Sequence, residues 1–193
     1  MGIRRQTDPG DLPAGFRYQP EFLSVEEEAD LQKCFKQLTF RAFEFQGHTA
    51  KRRIADFGWE YDFSSRRAIE TKPLPEFLFP IQERAAIFAG VPERELVETL
   101  VTEYPPGAPI GWHRDVPQFE DVIGVSLGSA CRMRFKPHRQ KGKLVWITLE
   151  PRSIYLMRGP VRWQFQHSIP AVEAHRYSIT FRTLRKSSKQ EVA

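Results

Sequence analysis

Two helices are indicated in the first half of the chain by the spacing of its apolar residues and by the residues at the helix ends. Ser24-Val-Glu-Glu27 forms a capping box, because the Ser hydroxyl and the Glu carboxylate satisfy free amide groups at a helix start. Apolar residues between positions 31 and 38 follow at helical spacing, which predicts one buried stripe. A second helix is predicted through 77–88 and ends at Gly90, while Pro80 indicates either a kink or a later helix start.

Extended structure is predicted for most of the remaining chain. The stretches 40–45 and 52–63 alternate aromatic and polar residues on either side of Gly47, which is typical of a hairpin or of two adjacent strands. From residue 94 onward the predicted strands are 97–104, 122–127, 131–136, 143–149, 153–158, 162–168 and 176–184. Short strands at near-regular spacing favour a barrel or a sandwich. We therefore expect an α+β, mainly β fold: a double-stranded β-helix (jelly roll) with the N-terminal helices packed on one sheet.

Length and composition indicate a single folded domain. The chain has 193 residues, of which 40% are hydrophobic, and this is enough for a sizeable core. We assign a flexible arm to 1–15, the domain to 16–185 and a flexible tail to 186–193. Because no signal peptide and no apolar run of about eighteen residues is found, we expect a cytoplasmic protein without a membrane span. Cys34 and Cys131 are expected to be reduced core residues.

The charge of the chain narrows its possible partners. The net charge of +5 at pH 7 favours an anionic partner, with nucleic acid first. Between Cys131 and Lys143 every charged residue is basic: Arg132, Arg134, Lys136, Arg139, Lys141 and Lys143. At the start of this stretch basic residues alternate with apolar ones, so one face is predicted to be core and the other cationic. The cationic face is either a track for a nucleic-acid backbone or an ordinary solvated hairpin.

His113-Arg-Asp115 and the distant His167 are candidates for a metal site. On an extended strand, residues two apart project from the same face, so His113 and Asp115 can reach one ion together. His167 lies in another strand-like segment and can come from a neighbouring strand. Two histidines and one carboxylate form the facial triad that holds iron(II) in oxygenases. A motif as short as His-x-Asp also arises by chance, as a surface pair on a turn.

Two arginines near the C-terminus are candidates for binding an anion. Arg176 and Arg182 share one face of a predicted strand, whose opposite face carries Tyr177, Ile179 and Phe181. Inward-facing arginines require anions, and a guanidinium binds a carboxylate through two parallel hydrogen bonds. Because the two Cα atoms are roughly 20 Å apart along an ideal strand, the arginines must act at different ends of a site. The alternative is a solvated strand face that binds phosphate or nothing.

Taken together, these motifs resemble the AlkB family of iron(II)/2-oxoglutarate-dependent dioxygenases. The resemblance covers roughly residues 16–185. Thr102-Glu-Tyr104-Pro-Pro-Gly107 is similar to the family's Asn-x-Tyr-x-x-Gly segment, with Thr in place of Asn. Further segments resemble the family's substrate side and the turns between its metal ligands: 52–64, 126–129, 151–153 and 157–159.

The resemblance implies a role for each matched residue. His113, Asp115 and His167 would bind Fe(II). Arg176 would bind the distal carboxylate of the cosubstrate 2-oxoglutarate, helped by the hydroxyl of Tyr104 and close to Thr102. Arg182 would lie near the metal-side carboxylate and the substrate pocket and would contribute to catalysis.

The activity implied by the resemblance is oxidative demethylation of N-alkylated bases in DNA or RNA, as in DNA repair. With O2 as the oxidant, lesions such as 1-methyladenine and 3-methylcytosine would be repaired with release of formaldehyde, succinate and CO2. The target base must be single-stranded or flipped out of a duplex to reach the metal. We expect the enzyme to act as a monomer.

Alternatives remain open on the substrate side. Arg52 and Arg53 would hold phosphates and Phe57, Trp59 or Tyr61 would stack on the base, or these aromatics are core residues of a hairpin. DNA-repair members of the family carry an acidic residue shortly after the metal-binding Asp, and Val116-Pro117-Gln118 stands here instead. A hydroxylase of modified tRNA or of a protein side chain, with the same cofactors, is therefore an alternative. A further alternative, from another class, is a non-catalytic jelly roll that binds nucleic acid.

Overall fold

Strands make up most of the structure, a computed structural model that describes residues 11–45, 48–62 and 67–185. The strands are β1 (Phe16–Gln19), β2 (Arg41–Phe45), β3 (His48–Asp62), β4 (Arg67–Glu70), β5 (Leu96–Tyr104), β6 (Ile110–His113), β7 (Phe119–Leu127), β8 (Cys131–Pro137), β9 (Val145–Leu149), β10 (Ser153–Met157), β11 (Phe165–Ile169) and β12 (Arg176–Leu184). The helices are α1 (Val25–Phe35), α2 (Phe79–Ala89) and α3 (Pro160–Gln164), and short 3-10 turns cover Glu76–Leu78 and Glu93–Glu95.

The described strands form two antiparallel sheets. The large sheet has the order β1-β10-β7-β12-β5-β3-β2, with β4 paired to β3, and the small sheet has the order β6-β11-β8-β9. The fold is the expected mainly-β jelly roll with N-terminal helices. No described helix is both long and apolar enough to cross a membrane.

Helix α1 begins where the capping box predicts. The Ser24 hydroxyl accepts a hydrogen bond from the Glu27 amide (3.1 Å), and the Glu27 carboxylate accepts one from the Ser24 amide (2.8 Å). These two bonds satisfy amide groups that a helix start leaves free. At the other end Phe35 is fully buried and anchors the helix against the large sheet.

Helix α2 shows that Pro80 marks a helix start rather than a kink. A 3-10 turn covers Glu76–Leu78, and the helix proper begins at Phe79 with Pro80 in its first turn. Proline is tolerated there because its missing N–H has no partner inside the helix. Gly90 ends the helix with a φ of 68°, the left-handed conformation that glycine adopts without steric penalty.

The large sheet has one face toward the helices and one toward the small sheet. Tyr177, Ile179 and Phe181 of β12 pack in the core with α1 and α2, and the rings of Phe35 and Tyr177 lie 5.1 Å apart. Arg176 and Arg182, in the opposite phase, line a cavity between the two sheets. The period-2 prediction for β12 is therefore confirmed. We call this side of the large sheet its cavity face.

The segment 162–168, predicted as a strand, instead begins in a helix. Residues Pro160–Gln164 form α3, and β11 starts only at Phe165. Gly159, with a φ of 61°, turns the chain, and Pro160 at the first helical position favours the helix start. The Arg162 amide then donates to the Gly159 carbonyl (3.0 Å). The strand pattern was misleading because one turn of helix is too short to show a helical period.

The folded part of the chain starts before residue 16, earlier than the boundary assigned to the flexible arm. The Gly15 carbonyl accepts a hydrogen bond from the Arg158 amide (3.0 Å), and the Ala14 carbonyl accepts one from Val161 (3.0 Å). Residues 11–15 are thus held against the turn that leads into α3. The rest of the predicted arm, 1–10, and the predicted tail, 186–193, lie outside the described residues.

The antiparallel pairing of β2 (Arg41–Phe45) with β3 (His48–Asp62) confirms the adjacent strands predicted from 40–45 and 52–63 as far as the chain is described, since residue 63 lies outside the described residues. Their register brings Arg41 opposite Ile54 and Ala42 opposite Arg53. Strand β3 also pairs with β5, so the hairpin extends the large sheet beyond the strands that carry the candidate site. The hairpin therefore forms one wall of the cavity.

We expect Gly124→Ala to destabilise the fold. Gly124 lies opposite Tyr155 in the pairing of β7 with β10, and a Cβ atom at Gly124 would lie 2.2 Å from the tyrosine ring. Because Tyr155 is buried and cannot swing away freely, the substitution should lower the free energy of unfolding by about 1–3 kcal/mol. Denaturant unfolding measures it. Gly111→Ala in β6 is the matched control, since its Cβ would meet no atom within 4 Å; equal losses in both variants would contradict the prediction.

Candidate metal centre

A cavity of about 580 Å³ lies between the two sheets. Its walls come from the cavity face of the large sheet, from the small sheet and from the β2–β3 hairpin. Its volume is within the range of sites that bind small molecules. The candidate metal ligands and both candidate arginines line this one space.

The three predicted metal ligands meet in this cavity. His113 at the end of β6 and His167 in β11 are register partners across the small sheet, and their rings lie 4.2 Å apart. One ligand atom each of His113, Asp115 and His167 lies within 4.8 Å of the others. Two nitrogens and one oxygen at this separation fit a facial triad for iron(II).

Asp115 reaches the site from beyond the end of a strand. We expected His113 and Asp115 to share one strand face, but β6 ends at His113 and Asp115 lies in the following loop. The two side chains nevertheless converge. The Arg114 guanidinium between them donates a hydrogen bond to the Trp163 carbonyl (3.1 Å) and so helps to hold this loop in place.

The hydrogen bond of His113 determines which of its nitrogens is available. Its Nδ1 donates to the Gly111 carbonyl at 2.9 Å, because a carbonyl oxygen can only accept. The proton therefore sits on Nδ1 and leaves the Nε2 lone pair for a metal ion. Protein contacts of this kind orient metal-binding histidines and set their tautomer.

Asp115 has one oxygen held by the protein and one without a partner. Arg182 donates from Nη2 to Oδ1 (3.2 Å). The other oxygen, Oδ2, is buried, has no hydrogen-bond partner in the described part of the chain and lies 3.8 Å from His167 Nε2. A buried carboxylate oxygen without a partner is unfavourable. A cation bound between Oδ2 and the histidines would satisfy it.

The electrostatics of the site favour the protonation states that bind metal. Burial on its own would raise the pKa of Asp115, but Arg182 and then His167 and His113 outweigh it and hold the pKa well below its usual range. Burial, followed by the charge of His113, lowers the pKa of His167 to about 3. At neutral pH the triad is thus an ionised carboxylate with a neutral His167, as metal coordination requires.

Arg182 acts on the metal site through Asp115. Its Nη1 donates to the Glu98 carboxylate (2.5 Å) while its Nη2 donates to Asp115. Burial raises the pKa of Glu98 and the charge of Arg182 opposes the rise. We assigned Arg182 a catalytic role near the metal; its contacts make it a positioning residue that holds a ligand carboxylate. The sequence interpretation missed Glu98, although an acid in the apolar strand Leu96–Tyr104 is a signal for a buried partner.

Arg176 is buried and has no acidic partner among the residues that the structure describes. It is 1% exposed, its Nε and Nη2 donate to the Ser126 hydroxyl (3.3 and 3.2 Å), and its guanidinium lies 4.7 Å from the Tyr104 ring. Its Nη1 is buried and has no hydrogen-bond partner in the described residues. An unpaired buried charge is strongly unfavourable. This end of the cavity is therefore suited to an anion, and a carboxylate fits a guanidinium in two-bond geometry.

Hydroxyl groups surround the anion site. The Tyr104 hydroxyl lies 3.4 Å from the Ser178 hydroxyl, and Thr102 is the register partner of Ser178 and also lines the cavity. Arg176 and Arg182 lie six residues apart on the same strand face, so they serve different regions of the cavity, as their spacing predicts. Arg176 serves the anion end and Arg182 serves the metal end.

The substrate-side residues proposed from the sequence lie largely outside the cavity. Arg53 pairs with Glu103 (2.5 Å) instead of facing the cavity, and Phe57 is 7% exposed in the core beneath the helices. For Phe57 the core alternative therefore holds. Trp59 is half-buried and is not among the described residues that line the cavity. Tyr61 lies in β3, where only its backbone is described.

The phase of β3 explains this result. Arg52, Ile54 and Asp56 line the cavity, so the neighbouring odd-numbered positions face the helices. The sequence interpretation named Arg52 together with Arg53 as able to hold a phosphate, and Arg52 lies in the cavity wall. It missed Phe43, whose ring centre lies 4.1 Å from the Arg52 guanidinium. The sequence showed that residues 52, 54 and 56 share one face of a strand. It did not indicate whether this face or the opposite one, with residues 53, 55 and 57, lies toward the metal site.

Comparison with known proteins identifies a family of similar sequences. Residues 15–182 match the family described as the 2OG-Fe(II) oxygenase superfamily. The chain is 32% identical over 165 residues to the tRNA (carboxymethyluridine(34)-5-O)-methyltransferase ALKBH8 of Mus musculus, a match covering 82% of this chain and 24% of that protein. It is 28% identical over 197 residues to the Alkylated DNA repair protein ALKBH8 homolog of Arabidopsis thaliana, covering 89% of this chain and 54% of that protein.

A solved structure shares the fold. The structure of OsALKBH1 superposes with a TM-score of 0.70 at 17% sequence identity, covering 88% of this chain and 96% of the other. The chain spans about a quarter of the length of the mouse relative and about half of the Arabidopsis one. The match therefore concerns one region of those longer proteins.

We expect Glu98→Gln to weaken metal binding. Without the Glu98 charge, Arg182 loses its stronger partner and no longer holds Asp115 in one orientation. Loss of such an outer contact reduces metal affinity by about 10–100-fold. Titration of the purified protein with Mn(II), used as an oxygen-stable substitute for Fe(II), measures the change by calorimetry. Glu83→Gln on the exposed side of α2 is the control; unchanged affinity in both variants would show that Glu98 does not position the ligand.

Proposed function

We propose that this chain, which belongs to the 2OG-Fe(II) oxygenase superfamily as an AlkB-like iron(II)/2-oxoglutarate-dependent dioxygenase, demethylates N-alkylated bases of DNA or RNA. The observation that carries the proposal is a single cavity that joins the metal triad, the Nη1 of Arg176, which has no partner in the described residues, and a wall formed by the β2–β3 hairpin. The names of the relatives support a nucleic-acid substrate, since one modifies tRNA and the other is named for repair of alkylated DNA.

The residues at the cosubstrate end of the cavity are suited to binding a carboxylate. Arg176 binds the distal carboxylate of 2-oxoglutarate with its free Nη1, and the Tyr104 hydroxyl lies close enough to assist. Burial of this end excludes water and strengthens the charge pairing. Thr102 stands where the family carries Asn and offers its hydroxyl to the same region.

The metal end of the cavity determines where oxidation of the substrate would take place. His113, Asp115 and His167 would hold iron(II), and Arg182 keeps the Asp115 carboxylate from rotating. When bound, iron(II) with 2-oxoglutarate and O2 supplies the oxidation of a carbon–hydrogen bond, and the cosubstrate leaves as succinate and CO2. A hydroxymethyl group produced on a base nitrogen then breaks down to formaldehyde and the unmodified base.

The substrate would enter beside the β2–β3 hairpin, whose Arg41 and Glu44 line the cavity and are exposed. A base within a duplex cannot reach the triad, so it is single-stranded or flipped. Phe43 and Arg52 on this wall form a cation–aromatic pair, and Arg52 has no acidic partner in the described residues. We assign them to the substrate side in place of Phe57. The proposal also includes the monomeric, cytoplasmic state expected from the sequence; size-exclusion chromatography tests the first of these.

A second candidate is hydroxylation of a modified tRNA base or a protein side chain with the same cofactors. The observation that favours it is the presence of Val116 and Pro117 in the cavity wall next to Asp115, where DNA-repair members carry an acidic residue. Apolar groups offer no hydrogen bond to the edge of a base. A modified base that is hydroxylated and retained would release no formaldehyde, which separates the two reactions.

We expect formaldehyde release from single-stranded oligonucleotides that carry 1-methyladenine or 3-methylcytosine. The iron-loaded protein is assayed for formaldehyde and succinate, with the unmodified oligonucleotide as control. His113→Ala should abolish both products because it removes a metal ligand. Succinate without formaldehyde on every alkylated substrate would reject demethylation in favour of hydroxylation. Full activity of His113→Ala would mean that the metal lies elsewhere.

We expect Arg176→Gln to raise the KM for 2-oxoglutarate. Loss of a charge-assisted hydrogen bond of about 1.5–3 kcal/mol corresponds to roughly a 10–140-fold rise. Succinate formation is measured against cosubstrate concentration. Arg176→Lys, which retains the charge, should show a smaller rise, and Arg94→Gln at an exposed position should show none. Because the variant removes a buried unpaired charge, its thermal midpoint should not fall; an unchanged KM would exclude Arg176 from cosubstrate binding.

A further inference from the structure

The outer face of the small sheet carries a cationic and aromatic surface. Arg132, Arg134 and Lys136 project outward from β8, while the alternating residues Cys131, Met133 and Phe135 are buried. Trp112 on β6 and Trp146 on β9 lie on the same outer side, in contact with these cations. We call the three cations with the two tryptophans the basic face.

The cations of the basic face are held in place without being neutralised. The Arg134 guanidinium lies 4.9 Å and the Lys136 ammonium 4.5 Å from the Trp112 ring centre, and Arg132 lies 4.2 Å from that of Trp146. Arg134 also donates to the Ser168 hydroxyl (3.0 Å). None of the three forms an ion pair in the described part of the chain. Protein surfaces usually mix charges of both signs, so a face of one sign indicates an anionic partner.

The basic face adjoins the metal end of the cavity. Trp112 immediately precedes the ligand His113, so adjacent side chains of β6 point to the basic face and to the metal. Beyond the end of β8, His138 lines the cavity, and Arg114 lines it from the loop after β6. The Arg114 guanidinium therefore carries positive charge from the outer face to the cavity wall. If a polyanion were bound on the basic face, the next unit along the polyanion would lie at the metal site.

We propose that the basic face binds the sugar–phosphate backbone of the single-stranded segment beside the target base. This inference rests on the proposed function, which brings a nucleic acid to the cavity. Arg132, Arg134 and Lys136 recur every second residue, about 6.6–6.8 Å apart along the strand, so they meet a chain of repeated charges better than one isolated anion. Backbone contacts of this type supply most of the sequence-independent affinity for nucleic acids.

The test is the salt dependence of binding to a fluorescein-labelled single-stranded oligonucleotide, followed by fluorescence anisotropy. The variant Arg132→Gln/Lys136→Gln removes two cations and retains polar side chains of similar length. With a slope of about −0.7 per phosphate on single strands, its plot of log affinity against log salt should be shallower by about 1.4. The same relation gives roughly 25-fold weaker binding at about 0.1 M salt.

The control is Lys36→Gln/Arg94→Gln, which removes two exposed cations outside the basic face. It should bind as the unmodified protein does. Equal affinity and slope in Arg132→Gln/Lys136→Gln and the unmodified protein would overturn the proposal. Equal weakening in the two double variants would also overturn it, because the effect would then reflect net charge alone.

Two further measurements separate this proposal from the proposed function. Succinate formation without oligonucleotide and the thermal midpoint should be the same in both double variants, since neither touches the metal or cosubstrate residues. With an alkylated oligonucleotide, the basic-face variant should raise KM and leave kcat unchanged. Absence of formaldehyde with the unmodified protein would reject demethylation, whereas the anisotropy series would still decide whether the basic face binds single strands.

Discussion

The alternation of side chains along β12 is the constraint on which the site depends. Its odd-numbered residues Tyr177, Ile179 and Phe181 pack beneath the helices, which fixes the rotation of the strand. The even-numbered positions must then face the small sheet, and two of them are the arginines of the site. Successive residues of a strand project from opposite faces. Once the odd-numbered residues pack against the helices, the two arginines therefore lie on the cavity face.

The two arginines show how the chain satisfies one charge and leaves the other for a ligand. Arg182 has Glu98 and Asp115, and through them it orients a metal ligand. Arg176, equally buried, has hydroxyl groups and an aromatic ring but no carboxylate in the described residues. A fold that buries an unpaired guanidinium sacrifices stability until an anion binds. The same imbalance recurs at Asp115, whose second oxygen has no hydrogen-bond partner within the described ranges and is suited to a cation.

The small sheet connects this interior chemistry with the outer surface. Strand β6 directs His113 toward the cavity and Trp112 toward the basic face, and β8 separates Phe135 from its cationic neighbours in the same way. Each of these two strands therefore has two different faces. One face lies toward the metal site or the core, and the other lies toward the basic face. In the proposed function, strand geometry would link catalysis at the metal site with recognition of a polyanion on the basic face.

The sequence by itself determined the features that depend on neighbours along the chain. The capping box of α1, the Gly90 helix end, most strands and the inward phase of Arg176 with Arg182 follow from local spacing, which fixes the face that each residue occupies. The triad was also recognisable, since its three residue types are those that iron(II) requires. The resemblance to a known family supplied what spacing leaves open, namely which arginine meets the cosubstrate.

Only the tertiary structure decided features that depend on contacts between distant segments. Alternation in β3 is compatible with either phase, and pairing with β5 placed Arg52 in the cavity and Phe57 in the core. Glu98 became a partner of Arg182 because β5 lies beside β12. Asp115 reached the metal site from a loop, and one turn of helix replaced the start of a predicted strand. In each case the deciding contact joins segments far apart in sequence, and no local pattern records it.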